Sequence, residues 1–250
     1  MSGHSKWASI KHKKAATDAR RGKLFSKLIK EITVSARQGG RDIETNARLR
    51  VAVSRAKAAN MPSDNIERAV KRGTGELPGV SYEELIYEGY GPGKAAIMVE
   101  VLTDSKNRTT TEIRHIFSKA GANLGATGCV AWMFHKKGII AIPKGSVPEE
   151  TLIEIALESG AEDVRTTEDS YEVTTLPQNF EKVKAKFDDK KIACSLADIT
   201  MDPHSTVKLK EKEAEQILKF IDALEEHDDV QNVYANFDIS DEILEKLEKT

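Results

Sequence analysis

The chain has 250 residues, of which 39% are hydrophobic and 31% are charged, and its formal net charge is −2. This length predicts two or three domains, with three preferred, and the composition excludes a disordered polyelectrolyte. No apolar run approaches the ~20 residues of a membrane span, and the N-terminal residues contain no signal-peptide core. The only two cysteines, Cys129 and Cys194, are far apart, so neither a disulfide framework nor a zinc site is suggested. We therefore expect a cytoplasmic protein with no membrane partner and no metal.

Positive and negative charges are separated along the chain. Residues 1–72 hold 18 lysines and arginines against 6 acidic residues, a net charge of +12, whereas residues 73–250 have a net charge of −14. An asymmetry of this size predicts a polyanion-binding end, and nucleic acid is the first candidate.

Residues 5–23 form a basic arm with too few aliphatic side chains to build a core. We expect the arm to become ordered when its cations meet phosphates and Trp7 finds a base or an apolar slot. The alternative is a solvated tail with Trp7 tucked against a helix. The predicted contacts in the arm are Lys6, Trp7, Lys11, Lys13, Lys14, Arg20, Arg21 and Lys23.

A small helical bundle is predicted next. Leu24, Leu28 and Ile32 recur at helical spacing, and Gly39 ends that helix. A second helix is predicted over residues 44–59. A third has Asp64 as its N-cap and ends at Gly73.

Three arginines of this region are spaced by seven residues: Arg41, Arg48 and Arg55. The last two share one helical face, and the first reaches it from the preceding turn. Guanidinium groups on one rigid face can follow a sugar-phosphate backbone without reading bases. The alternatives are a face charged for solubility, an acidic partner protein, or the chain's own acidic half. The other predicted nucleic-acid contacts of the bundle are Lys27, Arg50 and Arg72.

Several short motifs together resemble the YebC family, and the resemblance runs essentially from end to end. They are Gly3-His4-Ser5-Lys6-Trp7, Arg21-Gly22-Lys23, Asn46-Ala47-Arg48-Leu49-Arg50, Asn60-Met61-Pro62-Ser63-Asp64-Asn65-Ile66 and Tyr87-Glu88-Gly89-Tyr90-Gly91-Pro92-Gly93. The resemblance implies a helical N-terminal domain followed by two α/β domains. It also implies control of gene expression, since members are described as DNA-binding transcriptional regulators and the mitochondrial relatives as translational activators. Lys94 departs from the family pattern, which has a small residue, usually Gly, at this position.

The glycine-rich segment at residues 89–94 is not a nucleotide-binding loop. A P-loop would need Gly at position 88 and Ser or Thr at 95, where this chain has Glu88 and Ala95. We expect a strand-to-strand turn with unusual backbone dihedral angles.

The pattern of residues 73–250, the acidic half of the chain, predicts an α+β fold. Two ferredoxin-like α/β domains follow the helical bundle, and one is inserted in the other. Strands and helices over residues 138–200 alternate as βαββαβ, which is typical of a ferredoxin-like unit. Strands at 95–103 and 130–134, a helix at 107–119, a helix at 210–226 and a strand at 230–237 would form an interrupted copy of that unit. Between Cys129 and Lys144 the alternative is one long strand that serves both units. The predicted domains are residues 1–78, residues 79–135 with 204–250, and residues 136–203.

A secondary anion contact is predicted at Lys106, Asn107 and Arg108, which precede or begin a helix. The alternative is ordinary helix capping, with Thr109 and Glu112 in capping-box spacing.

We expect a non-enzymatic regulator with no cofactor and no catalytic residue. Its partner is DNA, or RNA within the ribosome, and the acidic domains offer a surface for a protein partner. The competing class is a metal-dependent enzyme on nucleic acid, for which Glu100 and Asp104 are the candidate ligands. A pure protein adaptor is the third class, and it predicts no salt-sensitive binding of polyanions. Phosphate contacts alone do not distinguish DNA from RNA.

Overall fold

The computed structural model describes residues 18–167 and 170–248, except for the side chains at positions 18–20, 241, 245 and 248. Helices come first and two four-stranded sheets follow, so the mixed α/β fold with an N-terminal helical region is confirmed. Within the described ranges, no helix is long and apolar enough to cross a membrane.

The N-terminal bundle contains α1 (Asp18–Gly39), α2 (Ala47–Ala58) and α3 (Ser63–Gly73). Asn46 begins α2, because its side chain accepts a hydrogen bond from the backbone N–H of Leu49. The prediction that Asp64 caps α3 is wrong: Pro62 occupies the cap position, and Asp64 lies in the first turn near the positive end of the helix dipole. The buried core of the bundle consists of Leu28, Ile32, Ala36, Leu49, Ala52, Val53, Ala56, Met61, Ile66 and Ala69.

The remaining elements follow in chain order. The first group is β1 (Glu83–Tyr90), β2 (Ala96–Thr103), α4 (Lys106–Lys119) and β3 (Asn123–Leu124). The middle group is β4 (Phe134–Pro143), α5 (Glu149–Ser159), β5 (Ala161–Thr166), β6 (Ser170–Thr175), α6 (Phe180–Asp189) and β7 (Leu196–Pro203). The last group is β8 (Val207–Lys208), α7 (Glu211–Glu225), β9 (Val230–Ala235), β10 (Phe237–Asp238) and α8 (Asp241–Glu248).

The first sheet has the strand order β3-β1-β2-β9, with antiparallel neighbours. On one face Val99 packs with Phe117 of α4 and Ile221 of α7. On the other face Met98 packs with Phe134, as the alternation of side chains along a strand requires. The prediction that this sheet has the strand order of a second ferredoxin-like unit is wrong. Its two central strands are β1 and β2, which a tight turn joins directly, with no helix between them.

The second sheet has the order β5-β6-β4-β7 and is also antiparallel. This is the strand order of a ferredoxin-like βαββαβ unit. Ile140 and Val173 pack against α5 and α6 through Leu152 and Phe187. The division of the chain into domains at residues 78, 136 and 203 stays a prediction.

The segment between Cys129 and β4 differs from the sequence-based expectation. The sequence predicts two strands at 130–134 and 138–142, with one long strand as the alternative. In the structure Ala131–Met133 is a short 3-10 turn and a single strand covers 134–143. The cause is Glu88, whose carboxylate accepts hydrogen bonds from the backbone N–H groups of Gly128, Val130 and Ala131 at 2.6, 2.8 and 2.7 Å. These N–H groups are therefore not available to a neighbouring strand.

The glycine-rich segment joins β1 to β2, as predicted. The Gly91 N–H donates to the Ala95 carbonyl at 2.8 Å, and Gly93 and Lys94 have φ angles of 67° and 61°. A Cβ at Gly89 would lie 2.2 Å from the Asn123 carbonyl oxygen, so glycine is what allows β3 to approach β1.

Candidate nucleic-acid interface

The predicted contacts in the basic arm fall mostly outside the described residues. These are Lys6, Trp7, Lys11, Lys13 and Lys14. Arg20 and Arg21 both lie in α1. The side chain of Arg21 is exposed, and that of Arg20 is among those that the structure does not describe. The role of the arm stays a prediction.

Three lysines of α1 contact the chain's own acidic half. Lys23, Lys27 and Lys30 are spaced by four and three residues, which places them on one face of the helix, here called the lysine face. Their ammonium groups donate to residues 225–229, here called the acidic loop, which run from the last residue of α7 to the start of β9. Lys23 Nζ lies 3.0 Å from the Glu226 carbonyl oxygen, and Lys27 Nζ lies 2.6 Å from that of Glu225.

Lys30 makes the most buried of these contacts. Its ammonium group donates to the Asp228 carbonyl oxygen at 2.9 Å and to the Asp229 carboxylate at 2.6 Å, and the two side chains are 14% and 5% exposed. It also lies 5.8 Å from the centre of the Tyr82 ring. Lys23 and Lys27, both predicted to hold nucleic acid, therefore have intramolecular partners in this structure.

Asp229 is the centre of a polar cluster on the acidic loop. Its second oxygen accepts from the Arg108 guanidinium and the Thr109 hydroxyl, both at 2.7 Å, and from the Thr103 hydroxyl at 3.1 Å. Burial by itself would raise the pKa of the Asp229 carboxyl, but the hydrogen bonds from Lys30, Thr109 and Arg108 outweigh it and hold the pKa well below its usual range. Asp229 is therefore ionised at neutral pH and fixed between α1, α4 and β9.

The three arginines spaced by seven do not form a free stripe, since each contacts an acidic residue. Arg41 pairs with Glu76 at 3.2 Å and keeps 69% of its side chain exposed. Arg48 donates to Glu31 at 2.8 Å and to Glu84 of β1 at 2.9 Å.

Arg55 pairs with Asp198 of β7. Arg48 and Arg55 therefore link the bundle to the two sheets, and Arg41 is the member of the set that remains largely open to solvent. The chain's own acidic half, one of the partners that the sequence leaves open, is what these two arginines contact.

Two further predicted contacts are exposed on the bundle. Arg50 donates to the carbonyl oxygens of Ile43 and Glu44, at 3.0 and 3.1 Å. Arg72 lines a cleft of about 320 Å³ with Arg37 and Tyr82, between the bundle and the segment that leads to β1. Neither guanidinium has an acidic partner among the described residues.

The predicted secondary anion contact is partly engaged within the chain. Helix α4 begins at Lys106, and Ser105, not Thr109, is its cap residue. Lys106 and Asn107 are exposed, whereas Arg108 donates to Asp104 at 2.9 Å as well as to Asp229. Thr109 donates to the Ser105 carbonyl and to Asp229 and is buried, so the proposed capping box is wrong.

The carboxylates considered for metal chemistry have other partners. Glu100 accepts from Asn232 at 2.8 Å and from Tyr234 at 3.1 Å, and Asp104 pairs with Arg108. Within the described ranges, one group of possible ligands has its atoms within 4.8 Å of one another: Glu112, His227 and Asp229. His227 accepts the Asp229 N–H at Nδ1 and lies 2.8 Å from Glu112 through Nε2. Because two cationic side chains already neutralise Asp229, this group is poorly suited to a divalent ion.

Sequence reasoning missed two buried carboxylates, Glu88 and Asp229. An acidic cluster at a helix end, as in residues 225–229, favours a solvated surface, yet Asp229 is only 4% exposed. One available signal was position: Asp229 directly precedes Val230, the first residue of β9. For Glu88 the signal was a charged residue between Tyr87 and Gly89, directly before the glycine-rich segment.

Comparisons with known proteins cover nearly the whole chain. A family profile described as the TACO1/YebC protein N-terminal domain matches residues 5–76, and one described as the TACO1/YebC second and third domain matches residues 82–237. A probable transcriptional regulatory protein of Desulforapulum autotrophicum is 58% identical over 247 residues, covering 99% of this chain and 100% of the relative. One from Syntrophobacter fumaroxidans is 58% identical over 248 residues, with the same coverage. The crystal structure of a conserved hypothetical protein from Aquifex aeolicus superimposes with a TM-score of 0.79 at 52% identity, covering 91% of this chain and 94% of that one.

Proposed function

Because the chain belongs to the TACO1/YebC family, we propose that it is a regulator of gene expression that acts by binding nucleic acid, with DNA as the leading target. The name of its relatives, probable transcriptional regulatory protein, supports a role in regulation. The proposal includes a cytoplasmic location and a division into three domains, with residues 136–203 inserted in the second.

The observation that carries the proposal is the net charge of +12 within residues 1–72. Arg41, Arg50 and Arg72 have exposed side chains on the bundle, where they can reach phosphate oxygens. Contacts of this kind hold the backbone of a nucleic acid and make its binding strongly dependent on salt, but they do not read its sequence.

The proposed action involves no catalysis. Glu100 and Asp104, the metal ligands that the sequence suggests, are held by Asn232, Tyr234 and Arg108. A carboxylate committed to such partners is a poor ligand for a catalytic cation.

Co-sedimentation with ribosomes at 150 mM salt, with duplex DNA as competitor, tests the choice of target. Release from ribosomes by modest concentrations of DNA supports a DNA-directed regulator. Retention on ribosomes in spite of the DNA identifies the ribosome as the target and overturns the preference for DNA.

Charge variants of the full chain test the site. Changing Arg50 and Arg72 to Ser should weaken DNA binding and reduce the slope of log affinity against log salt by about 0.9 for each phosphate that the variant no longer neutralises. Changing Lys182 and Lys186 to Ser removes the same amount of positive charge from the exposed face of α6, which covers the second sheet, and serves as the matched control. Equal effects of the two pairs would remove the bundle arginines from the interface.

A further inference from the structure

The contact between the lysine face of α1 and the acidic loop, together with the pair of Arg48 and Glu84, holds together two parts of the chain with separate cores. The apolar cluster of the bundle includes residues between 25 and 70, and the cluster between the first sheet and its helices includes residues between 85 and 247. Across the described residues, no apolar cluster contains members of both. The junction is therefore made by polar contacts, which salt and competing ions weaken far more readily than a buried apolar interface.

The lysines bind a part of the protein that resembles a row of phosphate oxygens. Glu225 ends α7 and Glu226 is its cap residue, so their carbonyl oxygens belong to the last turn of a helix. Such oxygens have no partner within the helix and carry the partial negative charge of its dipole. Asp229 adds a full negative charge next to them. Three ammonium groups on one helical face thus meet several partly or fully charged oxygens in a row.

We propose that the acidic loop occupies the lysine face of α1 in competition with nucleic acid, so that the contact between them is autoinhibitory. This rests on the proposed function and adds a regulatory step to it. A polyphosphate backbone offers a full negative charge at every phosphate, so it displaces the loop from Lys23, Lys27 and Lys30. The bundle then separates from the acidic loop and presents these lysines beside its exposed arginines.

The competition predicts that loss of an acidic partner tightens binding to DNA. If the contact is closed in about nine molecules of ten, its removal raises the apparent affinity about tenfold. Asp229→Asn removes the ion pair with Lys30 and should have this effect on a fluorescein-labelled duplex of 20 base pairs. Asp228→Asn makes the same charge change on an exposed side chain and keeps the backbone carbonyl that Lys30 contacts. It therefore measures the general effect of removing one negative charge.

A second variant separates competition from simple attraction, and it also covers the case in which Asp229→Asn does not fold. Lys30→Gln removes a cation, but it also opens the contact, so DNA binding should be as tight as that of the unmodified protein or tighter. Lys57→Gln removes an exposed cation from α2, away from the acidic loop, and reports the ordinary cost of losing one positive charge. Weakening of binding by Lys30→Gln to the same degree as by Lys57→Gln would overturn the proposal.

Hydrogen exchange of the full chain gives a direct measure of the contact. Peptides covering residues 222–232 should exchange faster when DNA is bound, because the loop is then no longer covered by α1. Equal protection with and without DNA, in a protein that binds DNA, contradicts the competition. Absence of salt-sensitive DNA binding in every variant would instead overturn the proposed function itself.

Discussion

The Glu88 carboxylate holds the segment between β3 and β4, and its replacement by glutamine tests this directly. Glu88 is 3% exposed and accepts three backbone N–H groups, from Gly128, Val130 and Ala131. Burial by itself would raise the pKa of the Glu88 carboxyl, but the three N–H donors lower it below its usual value. The side chain is therefore ionised when folded.

The expected cost of Glu88→Gln follows from these hydrogen bonds. Two of them become neutral and lose about 1 kcal/mol each, while the amide NH₂ group faces the third N–H and leaves it unsatisfied, at about 1–3 kcal/mol. Because the segment can relax towards solvent, we expect a loss of about 3 kcal/mol at pH 7. Because the pKa of Glu88 is lower in the folded state, its ionisation stabilises the fold at any pH above 4.5, the ordinary glutamate pKa. This stabilisation is lost as the pH falls through the pKa of the folded state. The difference between the two proteins should therefore shrink below pH 4.5.

Urea unfolding followed by Trp132 fluorescence measures this difference. Trp132 is in the same segment, its indole N–H donates to the Cys129 carbonyl at 3.2 Å, and a Trp7→Phe background makes it the only tryptophan. Glu83→Gln, at an exposed position of the same strand, is the matched control and should change stability by less than about 0.5 kcal/mol. A loss at Glu88 as small as that of the control, or one equally large at pH 7 and pH 4, would refute the reasoning.

Three other substitutions have expected outcomes that urea unfolding can check. Lys94 has a φ of 61°, so Lys94→Gly should stabilise the protein by about 0.5–1 kcal/mol, and an unchanged or lower urea midpoint would contradict the strain at this position. Gly89→Ala places a Cβ 2.2 Å from the Asn123 carbonyl oxygen, so it should lower the free energy of unfolding by more than about 2 kcal/mol. It should also speed amide exchange at Leu124, which lies opposite Gly89, and unchanged slow exchange there would contradict the clash. Phe187→Ala empties a fully buried site and should cost about 3–5 kcal/mol. If the second sheet is a separate domain, amide exchange should rise in that sheet and stay unchanged in the first, and a rise in both sheets would contradict the predicted division.

The helical bundle could be predicted because its structure depends on neighbours three or four residues away. Leu28 and Ile32 recur at this spacing, and both are buried. The strand order of residues 134–203 was also accessible, since one βαββαβ pattern allows few topologies.

The contacts between these parts could not be predicted, because their partners are far apart in the sequence. Lys30 and Asp229 are separated by 199 residues, and no local pattern links them. Glu88 likewise acts on a segment 40 residues away, which turns an expected strand into a 3-10 turn. The last helix was missed for a different reason: it is short, and its apolar side chains, Ile243, Leu244 and Leu247, pack on the first sheet's core. Its stability comes from that tertiary packing.

The pairing of β4 with β7 has a consequence for how this chain could have acquired its middle part. Phe134, where β4 begins, lies opposite Pro203, where β7 ends, so the two passages of the chain into and out of the second sheet run side by side. Some seventy residues therefore leave and rejoin the rest of the chain at two neighbouring points, as a hairpin loop does. A gene segment encoding the residues between these ends could enter or leave as a unit, with Phe134 remaining against Met98 of the first sheet, and a linker of a few residues should be enough to close the gap.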